Sequence, residues 1–65
     1  MNIKEWNVVF GILEKHGIDW PFAGAEHDVL FIDLSTEEVP EDSEDGKILD
    51  ELGLHVEEDY WAKFV

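Results

Sequence analysis

From Asn2 to Gly17 the apolar side chains recur at helical spacing. Ile3, Trp6, Val9 or Phe10, and Leu13 fall on one stripe, Val8 and Ile12 broaden it, and Glu5, Asn7, Glu14 and Lys15 fall largely elsewhere. Asn2 with Glu5 three residues later reads as a capping box, and Gly17 after Lys15 and His16 reads as a stop. The pattern predicts a first helix more than half covered by the rest of the fold. Ile18 to Ala25, with Trp20-Pro21-Phe22 and Gly24, reads as an irregular connector carrying at most a short edge strand, because Pro21 cannot donate to a central ladder.

Period-two alternation takes over at Asp28 to Leu34. Leu30, Ile32 and Leu34 alternate with Val29, Phe31 and Asp33, and apolar residues on both faces through Phe31 predict a strand in the middle of a small sheet. From Ser35 to Gly46 the chain turns acidic and includes Pro40, which predicts a loop running into a helix. Ile48, Leu49 and Leu52 make that helix amphipathic over roughly Glu41 to Leu52, with Gly53 as its left-handed cap and Leu54 packed back over the end. Leu54-His55-Val56 and Tyr60 to Val65 read as two strands joined through Glu57-Glu58-Asp59. The expected fold is a single α+β domain over residues 1–65, in the order α-β-α-β-β. A three-stranded, mainly antiparallel sheet with both helices on one face buries these stripes most simply.

Length and composition narrow what such a domain does. A chain of 65 residues buries only about 60% of the surface its unfolded form exposes, so a deep, water-excluded catalytic cleft is not expected. With no cysteine there is neither a disulfide framework nor a thiolate metal site. The first residues already carry Lys4 and Glu5, and no apolar run approaches the roughly 20 residues of a membrane span, so the expected address is the cytoplasm.

Charge changes the picture most. There are 17 Asp plus Glu against four Lys and no Arg, a formal net charge of −13. Direct nucleic-acid binding is excluded, since phosphate contacts require Lys and Arg, and partners should be basic. Residues 1–25 carry three acids and two Lys, whereas residues 26–65 carry 14 acids and two Lys. Acids at the start of the second helix suit its dipole by about 0.3–1 kcal/mol each. That does not account for Asp50 and Glu51 near the end of the same helix, nor for Glu57, Glu58 and Asp59 together in a turn. Thirteen charges match on the order of 22 Å of duplex DNA at one charge per 1.7 Å, while a compact chain of this length spans about 28 Å. Carboxylates at that density can imitate phosphates and displace DNA from a Lys/Arg-lined groove.

Other chemistry is weaker. Glu26-His27-Asp28 is the tightest group of metal-ligand types, with His16 and His55 as supplements, but in a strand His27 faces away from the other two. The acidic loop lacks the spaced ligands and central Gly of an EF-hand. The hydroxyls of Ser35, Thr36, Ser43 and Tyr60 sit in no nucleophile context, and no glycine-rich loop cradles a phosphate. Neither enzyme activity nor a cofactor or metal is expected. In the last strand Tyr60, Ala62 and Phe64 point one way and Trp61, Lys63 and Val65 the other, and an aromatic facing out beside the acids would anchor an interface.

The run Ala25-Glu26-His27-Asp28 leading into a strand, the acidic helix ending Glu51-Leu52-Gly53, and the closing Trp61-Ala62-Lys63-Phe64-Val65 resemble small acidic proteins of phages and mobile elements, over about two-thirds of the chain. In size and charge the protein is similar to anti-CRISPR and anti-restriction inhibitors that act as DNA mimics, the type I-C anti-CRISPR proteins above all. The resemblance implies a monomeric, non-enzymatic inhibitor acting in the host cytosol on a basic DNA-binding subunit of a CRISPR surveillance complex. It carries over no residue, so the expected interface is the acidic set itself: Glu37, Glu38, Glu41, Asp42, Glu44, Asp45, Asp50, Glu51, Glu57, Glu58 and Asp59. The alternatives are an acidic cation-binding module and an antitoxin-like protein-interaction module.

Overall fold

Helix α1 covers Ile3–Lys15 and starts as the sequence predicts: the Asn2 side chain accepts from the Glu5 N–H at 2.8 Å, and the Glu5 carboxylate accepts from the Asn2 N–H at 3.0 Å. Gly17 ends it in the left-handed region at φ 75, where Ile18 N–H reaches back to the Leu13 carbonyl. These features belong to a computed structural model that describes residues 1–64. Val65, expected in the last strand, lies outside the described residues.

The element order is α1, β1 (Phe22–Glu26), β2 (Val29–Ser35), α2 (Glu44–Glu51), β3 (His55–Glu57) and β4 (Tyr60–Phe64). The class is α+β, but the sheet has four antiparallel strands rather than three, in the spatial order β1-β2-β4-β3. The short edge strand allowed within the Ile18 to Ala25 connector is the extra strand, running on to Glu26. Pro21 sits just ahead of it, where no ladder donor is required, and its carbonyl accepts from Asp33 N–H at 2.9 Å. The two residues His27-Asp28 then turn the chain into β2, with His27 at φ 55. β1 is an exposed edge, so it lacks the buried alternation by which strands are recognised.

The second helix begins three residues later than expected. Ser43 is its N-cap, accepting from Gly46 N–H at 3.0 Å, and residues 40–43 form a turn instead, in which Ser43 N–H and Oγ both donate to the Pro40 carbonyl. At the far end Gly53, at φ 92, lets Leu54 N–H bond to the Leu49 carbonyl and places Leu54 in the core.

One core joins both helices to one face of the sheet: Val9, Ile12 and Leu13 from α1, Leu49 from α2, Ile32 and Leu34 from β2, Trp61 from β4, and Val39 and Leu54 from the connections. The Trp61 indole N–H donates to the Val39 carbonyl at 2.9 Å, which pins the acidic loop against the sheet. No helix of the described residues is long and apolar enough to cross a membrane.

Candidate protein-interaction site

Ten of the eleven acids, all but Glu38, fall into two groups, one around α2 and one around the β3–β4 hairpin. Glu41, Asp42, Glu44, Asp45, Asp50 and Glu51 belong to α2 and the turn before it, in the helix layer. Glu57, Glu58 and Asp59 belong to the β3–β4 hairpin, and Glu37 joins them: Thr36 N–H donates to the Asp59 carbonyl at 3.0 Å, and Glu37 and Asp59 line one depression with Tyr60.

Three of the eleven have internal partners. Asp45 turns inward, meeting Lys15 Nζ at 2.9 Å and His16 Nε2 at 3.2 Å. The hydrogen bond from Lys15, and after it the one from His16, holds its carboxyl below the ordinary value of 3.8. Glu38 closes a small box, accepting from Ser35 N–H and Oγ, each at 3.1 Å, while its own N–H donates to Ser35 Oγ. Glu57 lies 3.0 Å from His55 Nε2. Among the described residues Lys15–Asp45 is the sole lysine–carboxylate pair, so the remaining acids are uncompensated by lysine.

The face of the sheet away from the helices carries a feature absent from that list of acids. With Ile32, Leu34 and Trp61 in the core, the pleat turns Val29, Phe31, Tyr60, Ala62 and Phe64 to the opposite side. Between Phe31–Ala62 and Ser35–Tyr60, β2 has two more residues than β4, a bulge that bends the strand. The bend brings Glu58, from the far hairpin, alongside Ala23 to Glu26 of the edge strand, across a groove of about 320 Å³ with Phe31 and Tyr60 in its lining. A second recess of about 150 Å³ adjoins it between Glu26, His27 and Val29 on one side and Glu57 and Glu58 on the other. Ala62, on that face, is 0% exposed. Phe64 beside it is 62% exposed and stacks on His55 at 4.3 Å, a contact that extends the aromatic surface to β3.

Sequence patterning places Tyr60 and Phe64 opposite to Trp61, whereas nothing in the spacing of Glu26 or Phe31 signals that they share a groove with Glu58. The three histidines lie apart: His16 with Asp45, His27 in the first turn, His55 with Glu57. Among the described residues no three His, Asp or Glu side chains gather to hold a metal ion. Compared with protein-family models, with curated proteins and with solved structures, the chain matches none.

Proposed function

We propose that this protein is a non-enzymatic inhibitor of a DNA-binding defence complex, using its acidic surface as a DNA mimic to keep target DNA out of a basic groove. The type I CRISPR surveillance complex is the target class to which the resemblance points. The observation that carries the reading is the uncompensated charge: −13 on a body measuring 28 × 25 × 23 Å, with a single lysine–carboxylate pair among the described residues. Stability does not require this. Asp50 and Glu51 lie at the end of α2 where the dipole disfavours anions, and no basic residue occupies its last turn. Concentrated charge of this kind is useful where it meets opposite charge, giving fast and salt-sensitive association.

Gel-shift competition tests the reading: a guide-loaded type I surveillance complex with labelled target DNA, titrated with the protein at about 50 and 200 mM salt, the range over which groups that replace phosphates lose most of their attraction. Loss of the DNA shift, weaker at the higher salt, is expected. An unchanged shift at saturating protein refutes this target. An antitoxin-like module recognising one partner chain is the second reading, favoured by the exposed Tyr60 and Phe64, and it predicts binding that changes little with salt.

A further inference from the structure

The groove on the open sheet face combines two properties that the rest of the acidic surface does not. Its floor is apolar and aromatic, from Val29, Phe31 and Tyr60, and its walls are mainly carboxylates, Glu26 from the edge strand and Glu57 and Glu58 from the hairpin, with His27 of the first turn beside Glu26 in the smaller recess. None of the four lysines lines either part of it; Lys63, for example, is on the helix side of the sheet beside Gly53. We infer that this groove is a docking site for arginine side chains presented by a basic protein segment, and that it, rather than the helix-layer acids, supplies the specific contact.

The chemistry of the lining selects the occupant. A second copy of this chain would bring the same carboxylates against each other, and a nucleic acid would bring phosphates. A purely apolar segment would leave Glu26 and Glu58 facing it without partners, which desolvation penalises. A lysine satisfies the acids but is a compact, strongly hydrated charge that makes little use of the rings. A guanidinium is planar and weakly hydrated, stacks on aromatic faces and donates in a fork that suits carboxylates. The groove, about 320 Å³ with a 150 Å³ recess beside it, is a small concavity for side chains rather than a cleft for a folded element. The inference rests on reading the acidic surface as one that meets a basic partner, and names which basic residue and which face.

The test compares an acetylated eight-residue arginine peptide with the lysine peptide of equal length and charge, by calorimetry at about 150 mM salt, with amide shifts of the ¹⁵N-labelled protein recording where each binds. The arginine peptide should bind about tenfold tighter, as cation–π stacking in a partly desolvated site allows, with the largest shifts at Phe31, Glu58 and Tyr60. Phe31→Leu with Tyr60→Leu keeps an apolar floor without rings, and should erase the arginine preference while leaving weaker, charge-driven binding. Glu26→Gln, Glu57→Gln and Glu58→Gln together should weaken arginine binding far more than Glu44→Gln, Asp50→Asn and Glu51→Gln, which remove the same charge from the helix layer; melting curves establish that each variant is folded. Equal affinity for the two peptides, or equal losses from the two triple variants, overturns the inference and leaves the charge-based proposal standing. Arginine binding in the groove together with an unchanged DNA shift has the reverse meaning: the groove stands and the DNA-binding target falls.

Discussion

Glu58 and Asp59 form the two-residue turn of the β3–β4 hairpin with φ 53 and φ 69, both in the left-handed region. Two-residue hairpins favour such turns because their twist matches that of the strands, and Asn-Gly is the pair that adopts them most readily. A left-handed residue with a side chain costs about 1–2 kcal/mol, less for Asp than for Glu. Glycine at the second position gives back part of the gain, because it loses more freedom on folding. Glu58→Asn with Asp59→Gly should therefore stabilise the protein by about 1 kcal/mol. In a domain of this size that raises the melting temperature by about 4–8 °C. The Asp59 carbonyl that accepts from Thr36 N–H belongs to the backbone and is kept. Removing two acids also relieves repulsion, so Glu37→Gln with Glu41→Gln, which changes the charge equally at exposed positions, serves as the reference. Thermal and urea unfolding followed by circular dichroism measure both variants. A gain no larger than the reference, or a loss, refutes the argument that the turn is strained. The same variant lacks one wall of the groove and should bind the arginine peptide more weakly while being more stable, a separation expected where residues are retained for function at the expense of stability.

Three further predictions follow from single contacts. Gly46→Ala should destabilise by about 1–3 kcal/mol despite the helix propensity of Ala, because the new Cβ collides with the Pro40 carbonyl oxygen and comes within 2.9 Å of that of Glu41; Gly11→Ala, which meets nothing within 4 Å, should stabilise by about 0.5–1 kcal/mol, and chemical denaturation should find the two signs opposed. Trp61→Phe removes the donor to the Val39 carbonyl from a site 1% exposed and should cost about 2–3 kcal/mol, measured as a lower urea midpoint at unchanged slope. Asp45 releases its proton more readily in the folded chain than at its ordinary 3.8, so its contribution is full above that value and disappears as the pH falls through the lower, native one; the melting-temperature gap between wild type and Asp45→Asn should be present at pH 7 and closed near pH 2, and a gap independent of pH would argue against the pairing with Lys15 and His16.

Much of the fold is local and so was legible in the chain. Asn2 and Glu5 cap α1 through contacts three residues apart, Gly17 and Gly53 end the two helices, and the alternation around Ile32 defines β2. The edge strand was legible only as an optional short segment of a connector and is absent from the expected three-stranded sheet, because a strand bonded on one side and exposed throughout carries no burial period: in Phe22-Ala23-Gly24-Ala25-Glu26 only the first and last residues have side chains larger than a methyl group. The sequence places the start of α2 three residues early because acids suit both a helix N-terminus and the turn before it. Ser43, within hydrogen-bond reach of Gly46 N–H and the Pro40 carbonyl, decides between the two.

By itself the sequence determined the charge, its concentration after residue 25, the apolar stripes and therefore the α+β class, since these follow from residue identity and spacing. Only the tertiary structure decided which acids are free and which neighbours they have. Asp45 pairs with Lys15 across 30 residues, and Glu26 faces Glu58 across a bent sheet. Such relations depend on strand order and on a bulge in β2, which arise from how the whole chain buries its core and leave no periodic trace in the residues that end up together.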